Sequence, residues 1–192
     1  MISEQSQTVI KEFLQQWWED LRWKARETTL GTEFLPMLSQ DDLYYSGLGG
    51  VLRQIAEAAE GQLKRTEENA GEVQERCQTV AEWMWARPGM PGNYYIPPEF
   101  WSTPIGSLTL QAHLWARRDE LLTPTQATEV SGHSSSALSQ LADRGKLTTY
   151  LAPVKDEPNP QRRTRYMRSE IEALPKPKAR KRAAKKSRRG KK

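Results

Sequence analysis

The chain has 192 residues, 36% apolar and 28% charged, with a mean hydropathy of −0.79, which suits one domain or two small ones with polar extensions. No run of 18 apolar residues occurs, and the opening MISEQSQTVIKEF lacks a basic stretch followed by an apolar one, so neither a membrane helix nor a secretory signal is expected. A single cysteine, Cys77, excludes an internal disulfide and a four-cysteine zinc site, and a cytoplasmic protein is the expectation.

The net charge of +5 conceals a segregation. Residues 162–192 carry 15 Lys/Arg against 2 Asp/Glu, a net of +13, whereas the preceding 161 residues carry a net of −8. A basic block set apart in this way points to a polyanionic partner.

In chain order, Ile10, Leu14, Trp17 and Leu21 recur at spacings of four, three and four, which predicts a helix over 3–30 capped by Ser3 and stopped at Gly31. Pro36 and the turn-rich SGLGG predict a loop over 32–49 with about one helical turn. From 50 to 86, Leu52, Ala56, Ala59, Leu63, Thr66, Ala70, Val73, Cys77, Val80 and Met84 alternate by four and three, the a/d seam of a coiled coil. As one helix this stretch would run roughly 55 Å at 1.5 Å per residue. Gly61, Gly71 and Thr66 weaken that helix, and two helices broken near 69–71 are the competing expectation. Such a seam needs a second copy or the first helix against it, and residues 1–86 are expected to form a helical, coiled-coil self-association module with a homodimer through 50–86.

Residues 87–103, rich in proline, glycine and aromatics, predict a linker that docks through Tyr94, Tyr95, Phe100 and Trp101. A helix capped by Thr103 should follow from Pro104 to about 118, with Ile105, Leu108, Ala112 and Trp115 on its apolar face. The stretch 122–147, LTPTQATEVSGHSSSALSQLADRGKL, then reads as two short amphipathic helices about a tight turn. Thr123, Pro124 and Gln126 make a capping box, Ala127 and Val130 share the first helix's inner face, and Gly132 ends it. A serine near Ser134 caps the second helix, Leu138 and Leu141 line its inner face, and Gly145 stands at its C′ position.

Past Gly145 the period becomes two, predicting strands over 147–151 and 164–168, joined by the turn-rich PVKDEPNPQRR. A last short helix should open at Ser169, with Ser169 and Glu172 as a second capping box and Pro175 as its end. The remainder, 176–192, has eleven basic residues and almost nothing apolar larger than alanine, and is expected to be disordered in isolation. The expected fold is therefore mainly α: a helical N-terminal module, a winged helix-turn-helix over 104–175 with a two-stranded wing, and a basic tail.

Over residues 121–174 the succession LTPTQATEVSG, ALSQLADRGKL and RYMRSEIEAL resembles the MerR-like and excisionase-type winged helix-turn-helix domains. His133 departs from the aliphatic residue usual after the turn glycine, and the wing loop is longer than in compact members. The resemblance implies binding of double-stranded DNA, with the second helix in the major groove. Ser134, Ser135, Ser136, Ser139 and Gln140 would then face base edges. Gln140 alone among them can make the bidentate contact that distinguishes adenine. Arg162, Arg163 and Arg165 on the wing and Lys146 at the second helix's end suit phosphate or minor-groove contact; Arg168 is a further candidate that could equally be an ion-pair partner.

A transcriptional regulator is the expected function; a DNA-bending accessory factor and an adaptor acting through the N-terminal helices are the alternatives. No phosphate loop and no H-E-x-x-H motif occurs, and His113 and His133 lie twenty residues apart with no flanking carboxylate pair. The adjacent acids Asp41 and Asp42 read as solvated loop residues rather than metal ligands. Neither enzymatic activity nor any cofactor is expected.

Overall fold

The computed structural model describes residues 1–27, 37–85, 95–152, 156–159 and 162–176. Within them the chain forms eight α-helices and a small, unclosed three-stranded antiparallel sheet, a mainly α-helical fold with a coarse winged-helix-like architecture.

Helix α1 (Glu4–Glu27) starts at Ser3, whose hydroxyl accepts the N–H of Ser6 at 3.2 Å. Glu60, far along the chain, accepts from the Ser3 N–H at 2.9 Å and from the hydroxyls of Ser3 and Ser6 at 2.6 and 2.5 Å, placing a carboxylate at the positive end of the helix. Ile10 and Leu14 are fully buried, but Leu21 is 36% exposed, so only the first half of the apolar stripe reaches the core.

Helices α2 (Gln40–Tyr44) and α3 (Gly47–Ala59) occupy much of the stretch expected to be a loop. Ser39 and Asp42 cap α2 reciprocally, and Ser46 caps α3. Of the SGLGG glycines, Gly49 is the one a close backbone approach requires, since a Cβ there would lie 2.0 Å from the Tyr44 carbonyl oxygen. Residues 28–36, with the expected stop at Gly31, lie outside the described residues.

The continuous 50–86 seam is corrected. Helix α3 ends at Ala59, Gly61 turns the chain at φ +68°, and α4 (Glu67–Trp85) begins after an irregular link. The break falls at 60–66, ahead of the 69–71 break that was the competing expectation. Leu52, Ala56, Ala70, Val73, Cys77 and Val80 are buried as their periodicity predicts, but against the same chain. Their shared partner is α5 (Pro104–Arg117), which packs on both α3 and α4. A coiled coil between two copies through these side chains would require opening that core.

A 3-10 turn, Pro98–Ser102, leads into α5 and buries Phe100 and Trp101, so the expected linker docks at its described end; residues 87–94 lie outside the described residues. Thr103 caps α5 as expected. Gly106 lets α5 close on that turn, since a Cβ there would stand 1.9 Å from the Phe100 oxygen. Arg65 donates to the carbonyls of Trp115 at 3.1 Å and Ala116 at 2.8 Å, a cation on the negative end of α5. Helix α5 was expected to open a separate C-terminal domain; it is instead the centre of the helical core.

Three strands follow, β1 (Leu121–Leu122), β2 (Tyr150–Leu151) and β3 (Thr164–Met167), in the order β1-β3-β2 with both pairings antiparallel. The sheet has one strand more than the expected wing. Pleating makes β3 a partition. Met167 opposite Leu121 faces the large helical core, while Tyr166 opposite Leu122 faces a second, smaller core. That smaller core comprises Leu122, Ala127, Leu138, Leu147, Tyr166 and Ile171.

Candidate nucleic-acid interface

Helices α6 (Pro124–Ser131) and α7 (Ser135–Asp143) close over the smaller core. The Thr123–Gln126 capping box forms in both directions, and Gly132 ends α6 at φ 71°, a left-handed conformation that favours glycine. Ser134 caps α7 through the N–H of Ala137 at 3.3 Å, and Gly145 turns the chain at φ +67° after α7. Leu138 is fully buried with Leu141 half-buried, as the spacing predicts, and Ala127 is fully buried. Val130 departs from expectation at 41% exposed: α6 is two turns long and only Ala127 reaches the core.

The outward face of α7 presents Ser135, Ser136, Ser139 and Gln140, all exposed. Ser134, also exposed, is engaged in the cap, and its hydroxyl lies 3.1 Å from that of Ser136. Among the described residues Ser135, Ser139 and Gln140 form no side-chain hydrogen bond, which leaves one amide and two hydroxyls for a ligand. Lys146 is exposed, and Thr148 after it is held by Glu170, which accepts its N–H at 2.8 Å and its hydroxyl at 2.9 Å.

The arginines divide sharply. Arg162 is exposed and forms no side-chain hydrogen bond or ion pair among the described residues. Arg163 turns inward, its Nε donating to the Ala152 carbonyl at 2.7 Å across the hairpin, with Nη2 buried and unpaired. Arg165 donates to the carbonyls of Thr164, at 2.9 Å, and Arg162. Arg168 pairs with Glu120 and, at 3.3 Å, with Glu172. Those carboxylates hold its guanidinium above its ordinary pKa, and Arg168 belongs with the structural ion pairs.

The last helix, α8 (Arg168–Glu172), corrects the second capping box. Its N-cap position is Met167, and the carboxylate that meets its first turn is Asp119, from the link between α5 and β1. Asp119 accepts the Ser169 N–H at 3.2 Å and the Ser169 hydroxyl, while Glu172 goes to Arg168. Burial pushes the Asp119 carboxyl upward, but the hydrogen bonds from Ser169 and from the Glu120 N–H, with Arg117 nearby, carry it below the usual carboxylate range. Sequence reasoning missed this contact because Asp119 lies fifty residues from Ser169.

His133, in the turn between α6 and α7, lies with Nε2 3.0 Å from the Pro175 carbonyl oxygen. The chain therefore reaches the start of its basic tail beside the N-terminal end of α7. The tail itself, from 177 onward, and wing-loop residues 153–155 and 160–161 lie outside the described residues.

Cys77 and His113 lie in packed surroundings, whereas Asp41 and Asp42 are exposed. Burial pushes the Cys77 thiol up to about 12, and its Sγ lies 3.7 Å from the Thr109 carbonyl oxygen in the α4–α5 contact. Burial, with Arg117 nearby, lowers the His113 pKa. Asp42 caps α2, and Asp41 pairs with Lys11 at 2.7 Å. Among the described residues no group of three or more His, Cys, Asp or Glu is placed to hold a metal, and no helix is long and apolar enough to cross a membrane. Comparison with protein-family models, curated proteins and solved structures finds no match.

Proposed function

We propose that the chain is a DNA-binding protein acting in transcription regulation, with α6 and α7 as a helix-turn-helix and α7 entering the major groove. The observation that carries this is the junction at His133. The turn that leads into α7 is where the chain begins a tail with eleven basic residues in 176–192. A polar helix face beside a concentrated positive charge suits a duplex, where phosphates supply affinity and base edges supply discrimination. In this reading Ser135, Ser139 and Gln140 meet base edges, Gln140 reads adenine, and Lys146, Arg162 and the tail meet phosphates. Arg163 and Arg165 shape the hairpin, and Arg168 holds α8 to the α5–β1 link. Two hydroxyls and one amide give thin base readout, so DNA shape and the tail contribute much of the binding.

Gel-shift titration of the full chain against a random duplex pool at about 150 mM salt, with selection of the bound fraction, tests the proposal. Retained duplex with an enriched site is the expected result, and no retention of any duplex would sink it. Removal of 176–192 should weaken binding to all sequences alike. Six neutralised phosphates correspond to a slope of log K on log salt of about −5, and the truncated chain should show a flatter one.

A further inference from the structure

We infer that a trough between α1 and α5, remote in sequence from α7 and the wing, binds an amphipathic organic cation. The cavity measures about 450 Å³, within the range of roughly 300–1,000 Å³ typical of small-ligand sites. Phe13 and Trp17 of α1, Met84 of α4 and Phe100 of the 3-10 turn give it apolar walls. Glu12 and Asp20 stand at its α1 side, eight residues and so about 12 Å of helix apart, with Phe13 and Trp17 between them.

No Lys, Arg or His among the described residues lines the cavity. Neither Glu12 nor Asp20 has an ion-pair partner among the described residues; Lys11 pairs with Asp41, and Arg22, which lines a neighbouring hollow with Asp20, donates to the Met37 sulfur. Two carboxylates with aromatic rings between them attract a positive charge at the rim and then stabilise it over the ring faces. Met84 and Phe100 take the apolar remainder of such a ligand. An anion would find no counter-charge among the described lining residues, and a small hydrated metal ion would gain little from walls of rings and thioether.

Calorimetric titration of the full chain in DNA-free buffer tests the site, using tetraphenylphosphonium and its size-matched anion tetraphenylborate. Saturable binding of the cation, with the anion at least about tenfold weaker, is expected. Glu12→Gln with Asp20→Asn, both exposed positions, should weaken the cation roughly tenfold while circular dichroism stays unchanged. Glu68→Gln with Glu75→Gln, exposed on α4 and outside the cavity, should leave it unaltered. Equal binding of the two ions, no saturable binding of the cation, or an equal loss in the α4 variant would overturn the proposal. Because no DNA is present, its failure and that of the DNA-binding proposal are read separately.

Discussion

The two cores of the chain differ in how much of their stability they own. The larger draws on α1 to α5 and seals side chains such as Ile10, Leu14, Leu52, Ile55 and Val73 completely. The smaller has six buried residues among α6, α7, α8 and the sheet, and one of them, Tyr166, comes from β3, whose other face belongs to the larger core. It is also fastened from outside. Asp119 holds the first turn of α8, Glu120 holds Arg168, and Trp101 packs on Tyr150 at 5.1 Å between ring centroids. The candidate DNA-binding face is therefore mounted on the helical body, which sets its orientation.

The largest test of this asymmetry is a fragment of residues 104–176. It keeps the smaller core but strips α5 of α3 and α4, and it should show no cooperative thermal transition by circular dichroism. A sharp transition would mean that the two cores are independent. Next, Leu138→Ala removes a fully buried side chain and should cost about 2–5 kcal/mol in denaturant unfolding, a large share of what so small a core can supply. Its effect on duplex binding should exceed that of Ser139→Ala, which leaves the core intact.

Asp119→Asn comes third, at about 1 kcal/mol after allowing for solvent screening. The folded pKa of Asp119 lies below its ordinary 3.8, so the charged form's contribution is present above that value. It is lost as pH falls below 3.8 through the depressed value, and the gap between wild type and variant should close in acid. An unchanged gap at low pH would mean that the contact is geometric rather than charged. The smallest effect belongs to Val130→Ala, expected within about 0.5 kcal/mol because the side chain is exposed; a larger loss would put Val130 in the smaller core after all.

Local order was legible around the two-helix motif, where the determinants lie within a few residues, but the equally local Ser39–Asp42 box stands in a stretch expected to be a loop. The Thr123–Gln126 box, the Gly132 stop, the Ser134 cap and the Leu138 core position all follow from neighbouring side chains and backbone, and all stand where the spacing puts them. The 50–86 seam was legible as burial but not as partnership, because an apolar stripe does not say which surface covers it. Here α5 covers it, arriving from the next segment of the chain. Gly61 was visible as a weak point, and it became the break because both halves of the stripe then meet one helix.

By itself the sequence determined the helical content, the two-helix motif with its turn, the inward faces and the separation of positive charge, all short-range consequences of periodicity, capping and composition. Tertiary structure alone decided that α5 is the centre of the body, that β1 joins the sheet, and that Arg163 and Arg168 turn to the Ala152 carbonyl and the Glu120 carboxylate. The physical reason is common to these. Each depends on a partner far along the chain, such as Glu60 for Ser3, Asp119 for Ser169, Ala152 for Arg163 or Pro175 for His133, and only folding brings those atoms within hydrogen-bonding distance.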